Sequence, residues 1–105
     1  MVLRPRNNKV IRGEVWLTQN AQQPCVVISP SELCEQLDAI TVAPLKLGGA
    51  SAGFRVRTAL GCQEHCILLE QLTTLDKRAL TQRIGALDRK TLAKVLATLR
   101  EMFAE

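Results

Sequence analysis

The side chains best suited to chemistry follow one apolar segment of the chain. Cys66–Leu69 is apolar at every position, as expected of a strand that is buried on both faces. Glu70 and Gln71 come directly after it and place a carboxylate and an amide at the strand's end. The pair could form part of a site there, or it could satisfy backbone groups where the strand ends.

Basic residues elsewhere could contact phosphate groups. Arg55 and Arg57 alternate with the apolar Phe54 and Val56, which predicts a strand with one wet, positive face. Such a face suits phosphate contacts, but it is equally typical of a solvated surface.

Residues 46–53 have the composition of a flexible loop, and Lys46 beside its glycines could cradle a phosphate. No Gly-Lys-Ser/Thr sequence follows and no helical pattern begins there, which argues against a P-loop. A solvated lysine is the alternative.

The cysteines raise the question of a metal site. Cys62, His65 and Cys66 lie within five residues of each other, but structural zinc sites need a second close pair, which Cys25 and Cys34 do not form. We therefore expect reduced thiols and no metal or other cofactor. His65 is then either a surface turn residue or a ligand-binding residue.

Length and composition narrow the class of protein. The 105 residues, 47% hydrophobic and 23% charged, predict one globular domain over 1–105, with residues 1–10 as a basic arm. The net charge of +4 permits a nucleic-acid partner without requiring one. Three aromatic residues, Trp16, Phe54 and Phe103, are too few for modules that stack successive bases. With no apolar run of ~18 residues and no signal-peptide pattern, we expect no membrane association and a cytoplasmic location.

Hydrophobic periodicity predicts an α+β fold. A helix should begin after Asp88 as its N-cap and carry its apolar stripe as far as Phe103. A short helix should occupy residues 31–37. Strands are predicted at residues 10–18, 25–29, 39–43, 54–57 and 66–69. Strands followed by a helix indicate a small, barrel-like antiparallel sheet with helices packed on it.

Five segments, in order, resemble the MazF/PemK/Kid family of toxin endoribonucleases. They are Arg12–Leu17, Pro24–Pro30, Thr41–Leu45, Lys46–Arg57 and Leu69–Asp76. The resemblance implies a small SH3-like antiparallel β-barrel with a C-terminal helix, of the CcdB/MazF/PemK type. It also implies a homodimer that binds RNA in a groove at the subunit interface, where an antitoxin segment can block it.

The activity implied by the resemblance is metal-independent cleavage of single-stranded RNA. The ribose 2′-OH attacks the adjacent phosphate and leaves a 2′,3′-cyclic phosphate and a 5′-OH end, which requires a base, an acid and positive charge. The corresponding catalytic positions are Lys46, Glu70 and Gln23. The expected RNA-binding residues are Arg12, Arg55, Arg57, Gln71 and His65.

The chain departs from the family pattern where catalysis is expected. Gln23 and Lys46 stand where the family usually has Arg and Thr, and Leu68 stands where Kid-like members have another Arg. The segment before Pro24 is also too short for the family's long loop. The alternatives are therefore a nuclease with relocated residues, a catalytically degenerate homologue that binds RNA or an antitoxin-like peptide, and a CcdB-like inhibitor of DNA gyrase.

Overall fold

A computed structural model of the protein describes residues 9–19, 23–48 and 55–104. The strands are β1 (Glu14–Thr18), β2 (Cys25–Val27), β3 (Ala39–Leu47), β4 (Arg55–Leu60), β5 (Gln63–Leu68), β6 (Thr73–Asp76) and β7 (Leu80–Ala86). The helices are α1 (Ser31–Gln36) and α2 (Arg89–Met102). Two 3₁₀ turns, Leu69–Gln71 and Lys77–Ala79, precede β6 and β7. The expected single domain over 1–105 remains a prediction.

The strands form one curled antiparallel sheet in the order β4-β5-β3-β2-β1-β7, with β6 also paired to β3. The curl brings the two edge strands towards each other: a Cβ on Gly85 of β7 would lie 3.1 Å from Leu60 Cδ1 of β4. This half-barrel with a C-terminal helix confirms the predicted fold class.

The sheet buries apolar side chains on both faces. The inner face packs against α2 and contributes Val15, Val26, Leu45 and Ile67, with Val95 as the buried residue of the helix. The outer face forms a second cluster near α1. Its members are Val10, Trp16, Cys25, Val27, Cys34, Ile40, Val42 and Leu80. Both Cys25 and Cys66 are buried, as their apolar surroundings in the sequence predicted.

Helix α2 begins where the sequence predicted. The Asp88 carboxylate accepts a hydrogen bond of 2.7 Å from the backbone N–H of Thr91, so Asp88 is the N-cap. The predicted apolar stripe was wrong at its end, because Phe103 is 72% exposed. The helix ends at Met102, and Phe103 leaves the helical stripe as the C-cap.

Strand β3 continues beyond Pro44, where the sequence had predicted its end. The Leu45 N–H donates to the Pro24 carbonyl of the β2 side, so the nitrogen of Pro44 faces the opposite edge of β3. There the 3₁₀ turn Leu69–Gln71 interrupts the pairing of β5 and β6 with β3. Proline is tolerated because no N–H is needed at that point.

Two other predictions differ from the structure. Strands β6 and β7 were missed in the polar, basic stretch, because they pair with the distant strands β3 and β1 and are exposed over much of their length. Val10 belonged to the predicted loose arm, but it is 5% exposed and packs in the outer cluster. The rest of that arm, apart from Lys9, lies outside the described residues. In the parts of the chain that the structure describes, neither helix has the length and apolarity required to cross a membrane.

Candidate functional site

The outer face of the sheet carries basic side chains at its β4 end. Residues directly opposite each other in antiparallel strands point to the same face. Arg57 of β4 lies opposite Cys66 of β5, and Cys66 lies opposite Lys46 of β3. Arg55, two residues before Arg57, points to this same face. We call Arg55, Arg57 and Lys46 the basic face.

Glu70 borders the basic face because the chain makes a 3₁₀ turn there. Ile67 of β5 pairs with Leu45 of β3, and Thr73 of β6 pairs with Val42 of β3. The segment that joins Ile67 to Thr73 contains more residues than the part of β3 that it faces. The excess forms the turn Leu69–Gln71, which buries Leu69 and exposes Glu70 and Gln71.

Arg55 and Glu70 form an ion pair. Arg55 Nη2 lies 2.8 Å from Glu70 Oε2, and Arg55 Nε donates to the same oxygen at 2.9 Å. This hydrogen bond is the main cause that lowers the pKa of the Glu70 carboxyl below its usual value. Glu70 is therefore ionised at neutral pH, with its charge partly exposed.

Gln23 lies beside the basic face. Cys25 of β2 pairs with Pro44 of β3, and the Leu45 N–H donates to the Pro24 carbonyl, so the chain at Gln23 approaches the part of β3 that carries Lys46. Gln23 also lines a mostly apolar pocket of about 140 Å³. The other lining residues are Thr18, Pro24, Cys25, Val42, Pro44, Thr73 and Leu75. Burial raises the pKa of the Cys25 thiol to about 11, so this thiol is neutral and inert at neutral pH.

Two of the predicted site residues lie elsewhere. His65 was considered a surface turn residue or an RNA contact, but it is in β5, 7% exposed, and points to the inner face like Ile67. Arg12 lies near α1, at the far end of β2 from Gln23, and its Nε donates to the Ile28 carbonyl at 2.8 Å. The basic face thus collects Arg55, Arg57 and Lys46, with Gln23, Glu70 and Gln71 at its borders.

The cysteines and the histidine do not converge. Cys62 is exposed in the β4–β5 turn, whereas His65 and Cys66 are buried on opposite faces of β5. Within the described ranges, no three His, Cys, Asp or Glu side chains lie close enough together to hold a metal ion.

Sequence reasoning missed two features of this site. The first is the Arg55–Glu70 pair, since the partners are far apart in sequence and meet only through the β4–β5 register. The second is the pocket beside Gln23, which requires β1, β2, β3 and β6 together. The alternation of Arg55, Val56 and Arg57 was the one sequence signal that pointed to the basic face.

Known structures share this architecture. An endoribonuclease from a mycobacterial species superposes with a TM-score of 0.78, at 17% identity over 89% of each chain. A mycobacterial endoribonuclease in complex with its cognate antitoxin gives a TM-score of 0.74, at 16% identity over 90% of this chain and 92% of that one. A MazE–MazF complex of Deinococcus radiodurans gives 0.75, at 20% identity over 90% and 94%. At these identities the likeness shows the fold.

The family follows from the sequence match. No curated protein matches the chain in a sequence search. Residues 11–103, by contrast, match the family model of PemK-like, MazF-like toxins of type II toxin–antitoxin systems. The match extends from the turn before β1 to the residue that caps α2. The chain therefore belongs to the PemK-like, MazF-like toxin family.

Proposed function

We propose that the protein is a toxin that cleaves single-stranded RNA at its basic face, without a metal ion. The observation that carries the proposal is the ionised Glu70 held against Arg55 at the border of a face that also presents Lys46 and Arg57. A proton acceptor beside several cations meets the requirements of an attack by the 2′-OH on a neighbouring phosphate.

The roles follow from charge and position. Glu70 accepts the proton of the 2′-OH as the 2′ oxygen bonds to phosphorus. Lys46 stabilises the charge that develops on the phosphoryl group, and Gln23 donates a hydrogen bond beside it. The bond from phosphorus to the 5′ oxygen then breaks, and that oxygen takes a proton from the Lys46 ammonium or from water. The products are a 2′,3′-cyclic phosphate and a 5′-OH end.

The remaining contacts bind the strand. Arg57 and Gln71 lie within the proposed RNA path, because both are exposed beside Arg55 and Glu70. His65 and Arg12 keep a role in RNA binding only if the strand also reaches the inner face or the α1 side.

We further propose that a cognate antitoxin binds this chain and that the chain acts as a homodimer. Antitoxin complexes of proteins with the same fold support the first point. Exposed apolar side chains, among them Leu47 (58% exposed) and Phe103 (72%), are compatible with a protein interface.

A binding protein without nuclease activity is the second candidate. Gln23 favours it, because a neutral amide beside Lys46 supplies neither positive charge nor a readily transferred proton. Such a protein would retain the basic face for RNA or an antitoxin-like peptide.

The deciding experiment incubates the purified wild-type protein with a long natural RNA in EDTA and maps the ends of the fragments. The proposal predicts 2′,3′-cyclic phosphate and 5′-OH ends, and growth arrest when the protein is expressed alone. The Glu70→Gln variant should cleave roughly 10² to 10⁴-fold more slowly, the usual range for loss of a general base.

Other outcomes would identify the alternatives. Intact RNA with a folded protein that still binds RNA or an antitoxin peptide would reject the nuclease and support the binding protein. Intact RNA together with trapped cleaved complexes of DNA gyrase would indicate a gyrase inhibitor.

A further inference from the structure

Arg55 occupies an unusual place in the basic face. It is the first residue of β4, and its direct partner across the β4–β5 ladder is Leu68. Glu70 follows two residues after Leu68, where β5 gives way to the 3₁₀ turn. The Arg55 side chain therefore lies over the end of β5 and reaches the carboxylate across the strands.

The contact geometry ties the carboxylate to Arg55 through one of its two oxygens. The guanidinium bonds that the structure shows, from Nε and Nη2, both fall on Glu70 Oε2. They anchor this one oxygen, and the backbone N–H of Glu70 is a further contact of the carboxylate. The side chains of Arg55 and Glu70 are 29% and 37% exposed, so a substrate can reach the pair from solvent.

Stability alone does not account for the pair. Ion pairs with this much exposure contribute little to folding, since water screens the charges and holding two long side chains costs entropy. Arg57, on the same strand and face, has no such carboxylate partner among the described contacts. The two arginines thus have the same side chain, but only Arg55 is held by a carboxylate among these contacts.

We propose that Arg55 is a positioning residue, which holds the Glu70 carboxylate in the orientation that accepts the proton of the 2′-OH. The inference rests on the proposed function. In this chain the guanidinium comes from β4, whereas Leu68, directly opposite on β5, carries none. Arg55 acts through Glu70, and Arg57 acts on the RNA backbone.

The pH dependence of cleavage distinguishes positioning from simple phosphate binding. Arg55 lowers the pKa of Glu70, so the wild-type protein keeps its base ionised to a lower pH than an unpaired glutamate would. Among the described residues of β3, β4 and β5, the other charged or titratable groups on this face are Arg57, Glu64, Cys66 and Lys46. Removing Arg55 should therefore move the acidic limb of the rate profile to higher pH.

The test compares Arg55→Gln with the matched control Arg57→Gln in single-turnover cleavage of an RNA oligonucleotide that contains a mapped cut. Arg55→Gln should lower the rate at saturating protein by roughly 10- to 100-fold and shift the acidic limb upward. Arg57→Gln should weaken binding and leave the limb in place. Arg55→Lys should fall between, because an ammonium cannot place two fixed N–H groups on one oxygen.

A variant that moves the arginine from β4 to the facing position on β5 tests whether the cleavage rate can be restored. Arg55→Leu should be as slow as Arg55→Gln, and Arg55→Leu combined with Leu68→Arg should recover part of the rate, since the two positions face each other on one side of the sheet. If the double variant does not fold, as judged by its thermal unfolding, the pH profile of Arg55→Gln alone tests the positioning role of Arg55.

The two failures can be told apart. A wild-type protein that cleaves no RNA overturns the proposed function and this inference with it. A wild-type protein that cleaves RNA, with Arg55→Gln and Arg57→Gln showing the same acidic limb and the same loss of binding, overturns only the positioning role.

Discussion

Glu14 is a buried acid whose carboxylate is occupied by donors from its own chain. Its Oε1 accepts hydrogen bonds from the Ile11 N–H at 2.9 Å and from Trp16 Nε1 at 3.1 Å, while its Oε2 lies 2.8 Å from Arg83 Nε. Burial of a charge is tolerated here because every contact is a charge-assisted hydrogen bond. Arg12–Leu17 is one of the segments that resemble the family, and within it Glu14 serves to stabilise the fold.

Glu70 is an acid in the opposite situation. It carries one guanidinium partner, is partly exposed, and sits beside the basic face. The contrast between the two acids separates a structural carboxylate from a candidate catalytic one.

Lys46 allows a direct test at the scale of one residue. Lys46→Ala removes an exposed cation at the end of β3, so cleavage should fall by roughly 10²-fold because the phosphoryl charge loses its stabilisation. The urea midpoint of unfolding should not change. Single-turnover cleavage and urea denaturation measure the two effects.

The matched control for Lys46 is Lys94→Ala. Lys94 is exposed on α2, which packs against the inner face, away from the basic face. Its loss should leave cleavage unchanged. Equal cleavage by both variants and the wild-type protein would show that Lys46 takes no part in the site.

At the scale of elements, the turn before β1 and the helix α2 fit against each other. Gly13 has φ of +92°, and a Cβ placed on it would lie 3.2 Å from Leu92 Cδ2. Its N–H donates to the Val27 carbonyl, and its own carbonyl accepts from the Leu87 N–H. Glycine is required both for the backbone conformation and for the approach of α2.

Gly13→Ala should therefore be more destabilising than Gly61→Ala. Gly61, in the β4–β5 turn, also has positive φ (+65°), but nothing lies within 4 Å of a Cβ added there. We expect each substitution to cost about 1–3 kcal/mol of backbone strain, with Gly13→Ala at the upper end because Leu92 must also move.

Urea denaturation of both variants and the wild-type protein measures the difference in the free energy of unfolding. Equal losses would mean that the contact with Leu92 adds nothing to the strain. A smaller loss at Gly13 would contradict the proposed fit of α2 against the turn.

At the scale of the whole molecule, the two faces of the sheet differ in what covers them and in their charge. The inner face is covered by α2, and the outer face is apolar near α1 and basic at its β4 end. The modest net charge of +4 conceals this concentration of cations. The proposed binding of RNA therefore depends on the placement of these cations rather than on net charge.

The salt dependence of RNA binding should report this placement. Each phosphate contact to a single strand contributes about 0.7 to the slope of log affinity against log salt concentration. Arg57→Gln should reduce the slope by about that amount, whereas Arg100→Gln, on exposed α2 surface, should leave it unchanged. A 2′-O-methyl RNA, which lacks the attacking hydroxyl, allows titration without cleavage.

A slope that falls equally for Arg57→Gln and Arg100→Gln would indicate diffuse attraction to the whole molecule. A slope unchanged by Arg57→Gln would place the strand away from the basic face.

Much of the fold could be predicted because its signals are local. The N-cap at Asp88, the helix after it and the apolar runs of β2 and β3 depend on neighbouring residues. Predictions failed where distant partners decide the outcome. Pro44 continues a strand because the facing edge is interrupted, and β7 forms in a polar stretch because β1 offers it an edge.

The sequence by itself determined the family, the α+β class and the residues able to do chemistry, since these depend on residue types and their order. Only the tertiary structure decided which of them meet. The cross-strand register brings the Arg55 side chain within reach of Glu70 and places Lys46 and Arg57 on one face, and it turns His65 to the other. The reason is that strand register and sheet curl are set by long-range pairing and packing, and a shift of one residue would turn each side chain to the opposite face.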